Sequence, residues 1–281
     1  MAYRGKNFQR NVKIAFSGSG YLAPAHAGFA VGMLERGYTI TEVAGTSGGS
    51  IVAAILSTGA SVDQIKKIVF DPLPKGIVDK SILDISRSLW NNEAYINSGD
   101  ILINWLYGIL GTTTFNQTKI PLTIMATNLT DNSTIEFSRS SNANETLAFA
   151  CRASSSVPFI YKPVEFDGKI LVDGGVRNNI PTNKLSSGDL RVGVRIVDGG
   201  NYDCSTILGF SQQLINGLLD ANEDNLIAWA ESTGAKTVEV KCDPYSFLDG
   251  NISLEGKKDL FARGRKAALQ MDLKHGNSKS N

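Results

Sequence analysis

The sequence predicts an α/β protein built on a mainly parallel central sheet with helices on both faces. Strand-like and helix-like patterns alternate through most of the 281 residues, an order typical of parallel strands joined by crossover helices. With 42% hydrophobic residues, a chain of this length can bury one large core. No linker rich in proline, glycine or serine and no internal repeat divides it. We therefore expect a single domain over residues 1–281, with 268–281 as a flexible polar tail.

The first predicted unit is a strand, a glycine-rich loop and a helix. Residues 12–16 are mostly apolar and predict the strand, and the loop occupies residues 17–20. The helix is predicted over residues 25–36, because Pro24 suits a first turn and Gly37 suits a helix end. Backbone N–H groups in such a loop can bind an anion, either a phosphate or the oxyanion of a tetrahedral intermediate.

Two features of this loop favour the oxyanion. A dinucleotide-binding loop would have a third glycine where Ala23 stands, and the lysine and serine of a Walker loop are missing. We therefore expect the amides of Gly18, Ser19 and Gly20 to form an oxyanion hole, since the next unit offers a nucleophile.

The second predicted unit is a strand over residues 38–44 and a buried helix over residues 50–56. Between them, residues 45–49 read Gly-Thr-Ser-Gly-Gly. A G-x-S-x-G run between a strand and a helix is typical of a nucleophile elbow, whose tight turn exposes the serine hydroxyl. A plain glycine-rich turn is the alternative, and the flanking strand and helix favour the elbow, with Ser47 as nucleophile.

A serine nucleophile needs a base, and histidine is scarce in this chain. His26 lies in a first helical turn, where structural hydrogen bonding is the commoner role, and His275 lies in the polar tail. Neither histidine is therefore a good candidate for the base of a Ser-His-Asp triad. The better candidate is Asp173, which follows a strand predicted over residues 168–172. Because sites in open α/β sheets gather at the carboxyl ends of strands, we expect it beside Ser47; an Asp-Gly turn is the alternative.

Two further strands are predicted, over residues 120–126 and 190–197. Taken together, the segments resemble the patatin-like phospholipase family from the first strand to about Gly264. The motifs that carry the resemblance, in the family's order and spacing, are Ser17-Gly-Ser-Gly20, His26-Ala-Gly28, Gly45-Thr-Ser-Gly-Gly49, Ala153-Ser-Ser-Ser-Val-Pro158, Asp173-Gly-Gly175 and Asn179-Ile-Pro181. The resemblance implies a three-layer sandwich with a Ser47–Asp173 dyad and no catalytic histidine. It also implies an oxyanion loop that the Gly48 amide joins.

One departure from the family concerns that loop. The family's loop usually reads three glycines, any residue, arginine or lysine, and glycine. This chain has Ser19 at the second glycine, Leu22 at the basic position and Ala23 at the last glycine. Because the missing cation would lie near the developing negative charge or a lipid phosphate, we expect a lower rate or an altered head-group preference.

The activity that the resemblance implies is that of a lipid acyl hydrolase of phospholipase A or lysophospholipase type. Asp173 would take the proton of Ser47 as the hydroxyl attacks an ester carbonyl, and water would hydrolyse the acyl-serine. Two alternatives remain at this point: an acyltransferase that passes the acyl group to another acceptor, and a weakened, membrane-associated lipid-binding protein. Whether an activating partner is needed stays open.

An apolar helix predicted over residues 101–110 is the candidate for lipid contact, with Trp105 and Leu106 as substrate-binding residues. Residues 82–90 offer a second apolar stripe. Both are also compatible with ordinary core-facing helices. The functional expectation is that residues 80–115 cover the site and admit acyl chains.

Charge and composition narrow the classes of partner. The net charge is only +1, but basic side chains collect in residues 1–13 and 256–281, a pattern that suits an anionic membrane or plain solvation. The sequence has no basic run interleaved with aromatic residues, so it gives no indication of nucleic-acid binding. The histidines and carboxylates are too scattered for a metal site, so we expect no metal and no cofactor. Residues 220–224 lack calcium-loop spacing and predict a solvated helix end.

The cysteines and the apolar runs indicate the cellular compartment in which the protein is expected. Cys151, Cys204 and Cys242 are odd in number and show no framework spacing, which predicts no structural disulfide. Residues 1–7 lack the apolar core of a signal peptide, and no apolar run reaches the ~18–20 residues of a membrane span. The expectation is a cytoplasmic protein with peripheral membrane contact, and leaderless export is the alternative.

Overall fold

The computed structural model describes residues 10–77, 95–199, 204–205 and 207–272. Its strands are β1 (Arg10–Phe16), β2 (Tyr38–Thr46), β3 (Tyr95–Asn97), β4 (Leu122–Asn128), β5 (Ser133–Ser138), β6 (Phe159–Tyr161), β7 (Val164–Phe166), β8 (Lys169–Asp173), β9 (Leu190–Val197) and β10 (Lys236–Lys241). Its α-helices are α1 (Ala23–Glu35), α2 (Gly48–Ser57), α3 (Val62–Phe70), α4 (Asp100–Leu110), α5 (Arg139–Asn142), α6 (Leu147–Ser154), α7 (Gly175–Asn178), α8 (Ile207–Ser232) and α9 (Leu254–Gln270).

The central sheet joins its strands in the order β10-β9-β1-β2-β4-β8-β7, and β5 also pairs with β4. Every neighbouring pair from β10 to β4 is parallel. At the other edge, β5 and β8 are antiparallel to β4, and β7 is antiparallel to β8. The predicted α/β class with a mainly parallel sheet is confirmed, and the antiparallel edge is a feature that the sequence patterns did not predict.

The helices form two groups around this sheet. Helix α1 packs against α2, α3 and α9, whereas α8 packs against α7 and a short turn at Pro181–Lys184. The strand order advances from β1 to β2 to β4 in one direction and from β9 to β10 in the other. Because crossovers between parallel strands are right-handed, this reversal places α1 and α8 on opposite faces of the sheet.

The antiparallel edge is built on a tight hairpin between β7 and β8. Phe166 pairs with Lys169, so Asp167 and Gly168 form a two-residue turn. Both turn residues have positive φ, 49° and 72°, as a type I′ turn requires. The strand predicted over residues 168–172 therefore begins one residue later, and the Asp-Gly pair was the sequence signal for this hairpin.

Two predictions near the carboxyl end of the chain are wrong. Helix α8 does not end at residues 220–224 but continues through Ser232, and Glu223 is buried rather than solvated. Helix α9 continues through Gln270 with Ala268 fully buried, so residues 268–270 are helical and not part of a flexible tail. The rest of the predicted tail from residue 273, like the apolar stripe over residues 82–90, lies outside the described residues.

Candidate active site

Ser47 occupies a sharp turn between β2 and α2. Its backbone has φ 51° and ψ −129°, and the residue is 6% exposed. Positive φ is uncommon for a residue with a Cβ, and such conformations persist where the surrounding structure imposes them, often at functional sites. Because Thr46 ends the strand and Gly48 begins the helix, Ser47 has the strand–turn–helix setting of a nucleophile elbow.

The glycines around Ser47 are there because backbone packs against backbone. A Cβ on Gly49 would overlap the carbonyl oxygens of Phe16 and Ser17 at the end of β1. A Cβ on Gly45 would lie 2.6 Å from the carbonyl oxygen of Gly49, inside the turn itself. The turn can therefore close against β1 only with glycine at these positions.

Asp173 reaches Ser47 by an end-to-end meeting of two strands. On β4, Met125 pairs with Thr46 of β2, and the next residue, Ala126, pairs with Asp173 of β8. Strands β2 and β8 run in opposite directions along the same edge of β4, so their last residues face each other. The predicted proximity arises in this way, and the expected reason, a shared rim of parallel carboxyl ends, is wrong because β8 is antiparallel.

The serine run at the carboxyl end of α6 hydrogen-bonds to the backbone of both residues. The amide of Ser47 donates to Ser154 Oγ at 2.8 Å, and the amide of Asp173 donates to the carbonyl oxygen of Ser156 at 2.9 Å. Asp173 Oδ1 accepts from the Gly175 amide at 2.8 Å. Asp173 Oδ2 is buried with no hydrogen-bond partner among the described residues. The serine run that begins with the last residue of α6 thus positions the backbone of both candidate catalytic residues.

Burial of the Asp173 side chain determines the pH at which its carboxyl group ionises. Desolvation raises the pKa of Asp173 from 3.8 to about 6, although the nearby Ser47 hydroxyl and the Gly175 amide act in the opposite direction. Above about pH 6 the carboxylate is ionised, and its unpartnered oxygen can accept a proton. A raised pKa makes this aspartate a stronger base than one in water.

The predicted oxyanion loop lies beside Ser47, but one of its amides is engaged. The Gly18 amide donates to the carbonyl oxygen of Asn179 at 3.0 Å, so it is not a free donor. The amides of Ser19 and Gly20 make no hydrogen bond to a described residue, and both residues line the cleft at Ser47. The amide of Gly48 follows the serine at the helix start, where intrahelical partners are lacking.

The departures from the family's loop sequence have a simple conformational outcome. Ser19 has φ −148°, a value open to any residue, so serine replaces glycine without strain. Gly20 has φ +47°, and a Cβ there would overlap the carbonyl oxygen of Phe247. Leu22, which stands at the family's basic position, is fully buried. Serine at position 19 is therefore unstrained, and the side chain at the family's basic position is a buried leucine.

His26 supports the loop from beneath and is not a base. Its Nε2 lies 2.9 Å from the Ser17 carbonyl oxygen and donates to it, and its ring packs edge-on against Phe16. Complete burial lowers the pKa of His26 to about 3, so the ring is neutral. The predicted structural role of this histidine agrees with these contacts, and His275 lies outside the described residues.

A buried polar network that the sequence patterns missed forms the far wall. Glu223 of α8 accepts from Asn179 Nδ2 and from Arg195 Nε, and Arg195 also donates to Glu239 at 3.1 Å. The Asn179 backbone in turn accepts from Gly18. Glu223 therefore connects a helix distant in sequence to the oxyanion loop, and periodicity alone gave no signal for it.

These residues enclose a cleft of about 230 Å³ that contains Ser47 and Asp173. Trp105 does not line it but lines a neighbouring apolar cavity of about 80 Å³, which shares Gly20 with the cleft. Leu106 is fully buried in the core, so its predicted contact with lipid is wrong for this structure. Within the described ranges, no three histidine, cysteine, aspartate or glutamate side chains converge as metal ligands. None of the described helices combines the length and apolarity needed to cross a bilayer.

The basic residues expected to contact an anionic membrane are largely paired where they are described. Lys13 is buried and contacts Ser186 and Glu42, and Lys257 donates to the carbonyl oxygen of Asp71. Three more basic residues of α9 form ion pairs with acidic neighbours: Lys258 with Glu255, Arg263 with Asp259 and Arg265 with Glu35.

Several known proteins are similar to this chain in sequence. Residues 14–185 match the family model described as patatin-like phospholipase. An uncharacterized protein of Acanthamoeba polyphaga mimivirus is 28% identical over 93% of both chains. An uncharacterized NTE family protein of Mycobacterium tuberculosis is 29% identical over 69% of this chain and 51% of its own length. Lysophospholipase NTE1 of Scheffersomyces stipitis is 24% identical over 72% of this chain and 12% of its own length.

Among solved structures, VipD from Legionella pneumophila has a similar fold, with a TM-score of 0.61 and 14% identity. The alignment covers 93% of this chain and 66% of VipD. This chain therefore spans about half of the mycobacterial relative and about two thirds of VipD. Because the family model covers more than half of the chain and includes the segments around Ser47 and Asp173, the chain belongs to the patatin-like phospholipase family.

Proposed function

We propose that this protein is a lipid acyl hydrolase of phospholipase A or lysophospholipase type that uses Ser47 and Asp173 as a dyad. The observation that carries the proposal is the meeting of β2 and β8 on β4, which sets a strained serine beside a buried carboxylate. Asp173 lines the cleft, and its buried Oδ2 has no hydrogen-bond partner among the described residues, which an Asp-Gly turn without a catalytic role would not need.

The chemistry follows from these groups. Asp173 accepts the proton of the Ser47 hydroxyl as its oxygen bonds to the ester carbonyl carbon, and the carbonyl oxygen becomes an oxyanion. The amides of Ser19, Gly20 and Gly48 are the donors that can stabilise that charge. The alcohol leaves with a proton from Asp173. Water, deprotonated by Asp173, then attacks the carbonyl carbon of acyl-Ser47; the bond from that carbon to the serine oxygen breaks, the fatty acid leaves, and Asp173 returns the proton to Ser47.

The apolar cavity next to Gly20 is the site proposed for the acyl chain. It is lined by Ile51 and Val52 from the first turns of α2, by Leu102 and Trp105 from α4, and by Ile77. It therefore starts at the helix that follows Ser47 and offers a mostly hydrocarbon environment, with Asp71 and Lys257 also in its lining. Trp105→Ala should lower kcat/KM for long-chain esters by roughly tenfold and leave butyrate esters within about twofold. Tyr107→Ala, in the same helix but outside the cavity, is the control; equal losses on both ester lengths would contradict the assignment.

A second candidate function, lipid binding without turnover, is favoured by the engaged Gly18 amide and the buried Leu22 in place of a cation. Intact mass after incubation with a lipophilic fluorophosphonate separates the two. The hydrolase should gain one adduct, which Ser47→Ala abolishes, Asp173→Asn slows strongly and the control Ser57→Ala leaves intact. Folded wild-type protein that stays unlabelled would favour the binding protein.

The same acyl-serine serves an acyltransferase. A panel of short and long lipid esters, run with and without an added alcohol or lysolipid acceptor, distinguishes the two outcomes. The hydrolase should release free fatty acid at a rate that the acceptor does not change. Acylated acceptor as the main product would replace the hydrolase by the acyltransferase.

A further inference from the structure

The mouth of the cleft carries large apolar side chains that are exposed. On α8, Phe210 is 57% exposed and Leu214 is 49% exposed. They lie four residues apart and therefore on one face of the helix, and Gln213 between them lines the cleft. The apolar face of α8 is thus continuous with the opening that leads to Ser47.

A third exposed ring flanks the cleft from another element. Phe159 is 52% exposed and directly follows Val157 and Pro158, which line the cleft. Its φ is +67°, an outlier for an aromatic residue. The amides of Ile160 and Tyr161 both donate to the Val157 carbonyl oxygen, at 3.1 and 2.9 Å, and hold this turn. The backbone therefore presents the Phe159 ring outward in a conformation that costs free energy.

The helix segment at the mouth is also free of charge. Residues 204–219 contain no lysine, arginine, aspartate or glutamate. A charge-free apolar helix face loses no ion hydration when it enters a medium of low dielectric constant. An aromatic residue and a leucine on such a face are typical of segments that lie in the boundary between lipid head groups and acyl chains.

We propose that Phe159, Phe210 and Leu214 dock the mouth of the cleft on a lipid–water interface, and that this docking depends on apolar contact and not on anionic lipid. The proposal rests on the proposed function in one respect, that an acyl ester must pass from the lipid phase to Ser47. Pro158 and Gln213, which neighbour these apolar residues in the sequence, line the cleft that the ester would enter. Lys13, Lys257, Lys258, Arg263 and Arg265 are already paired with other groups of the protein, so these five residues are poorly suited to drive the contact.

The test measures binding and catalysis separately. Vesicle binding is measured by co-sedimentation in the Ser47→Ala background, with phosphatidylcholine alone or with added phosphatidylglycerol, at low and high NaCl. Hydrolysis of a water-soluble butyrate ester is measured in proteins that retain Ser47. The rim variants are Phe210→Gln with Leu214→Gln, and separately Phe159→Asn, because asparagine tolerates positive φ. The control is Leu254→Gln with Leu269→Gln, two exposed leucines of α9 that do not line the cleft.

Each rim variant should weaken binding to phosphatidylcholine vesicles by roughly tenfold, with little dependence on salt, and keep butyrate hydrolysis within about twofold. The α9 control should bind like wild type. Binding only to phosphatidylglycerol vesicles that salt abolishes would overturn the proposal, because it would assign the contact to basic residues. Rim variants that bind normally, or a dimer that the rim variants dissociate, would overturn it as well. Absent butyrate hydrolysis with rim-dependent vesicle binding would reject the proposed activity and keep the docking surface.

Discussion

The two candidate catalytic residues come from regions built on different principles. Ser47 lies in the parallel region, where β1, β2 and α2 pack backbone against backbone, and a Cβ on Gly49 would overlap two carbonyl oxygens. Asp173 lies in the antiparallel region, at the end of a hairpin whose Gly168 has open space around it. In the parallel region, close backbone packing that leaves no room for a Cβ holds the turn at Ser47 in place. In the antiparallel region, pairing of β8 with β4 holds Asp173 in place. The site exists only where the two regions meet.

The largest effect expected from breaking this meeting is on catalysis. Ser47→Ala and Asp173→Asn should each lower kcat/KM for a lipid ester by at least about 10³-fold, because each removes half of one proton-transfer unit. The double variant should lose little more than either single variant. Initial rates on one ester with all three variants measure the coupling, and multiplicative losses would mean that the residues act independently.

The steric difference between the regions predicts unequal glycine variants. Gly49→Ala should lower the free energy of unfolding by about 3 kcal/mol or more, because the new methyl group meets two backbone oxygens. Gly168→Ala should cost only about 1 kcal/mol, since its penalty is the positive φ of 72° alone. Urea unfolding of both variants tests this order, and a larger loss for Gly168→Ala would reverse the comparison.

The burial of Asp173 predicts a gain in stability when its charge is removed. Its pKa is about 6 in the folded state and 3.8 as the reference value, so the wild type loses stability as pH rises from about 4 through 6. Asp173→Asn does not titrate and should be more stable than wild type by up to about 3 kcal/mol at pH 8, with little difference at pH 4. Thermal unfolding at both pH values measures the effect; a constant difference across pH would exclude carboxylate desolvation as its cause.

The raised pKa of Asp173 also predicts the smallest of these effects, a fall in kcat/KM at acidic pH. Because the base must be ionised, kcat/KM should fall about tenfold per pH unit below an apparent pKa of about 6. At pH 5 the rate should be about one tenth of its plateau. A soluble ester avoids changes in vesicle charge during this titration. A midpoint near 4 would mean that Asp173 titrates like a solvated carboxylate.

Most elements of the parallel region could be predicted, because their signals are local. The strands at residues 12–16, 38–44, 120–126 and 190–197 and the helix after Ser47 are present within a few residues of the predicted bounds. The hairpin at Asp167 and Gly168 was missed, although the Asp-Gly pair between two apolar segments is a local signal too. The direction of β8 could not be predicted, because strand pairing depends on contacts between segments far apart in sequence.

The prediction for α4 shows the same limit on a smaller scale. Its apolar content predicted a helix over residues 101–110, and a helix is present at Asp100–Leu110. Which of its faces points inward depends on the packing partner, so Leu106 turned to the core and Trp105 to a cavity. Glu223 was misplaced for a related reason, because a charged residue is buried only where partners such as Asn179 and Arg195 are brought to it.

The sequence by itself determined the alternation of strands and helices, the elbow around Ser47, the shortage of histidine and the family. The first three depend on residues adjacent in the chain or on composition, and the family depends on the order and spacing of short motifs along the chain. Only the tertiary structure decided that β8 runs against β4, that Asp173 meets Ser47 end to end, that Gly18 donates to Asn179, and that Glu223 closes the cleft wall. The physical reason is that pairing direction, burial and a shifted pKa belong to sets of residues that only the folded chain brings together.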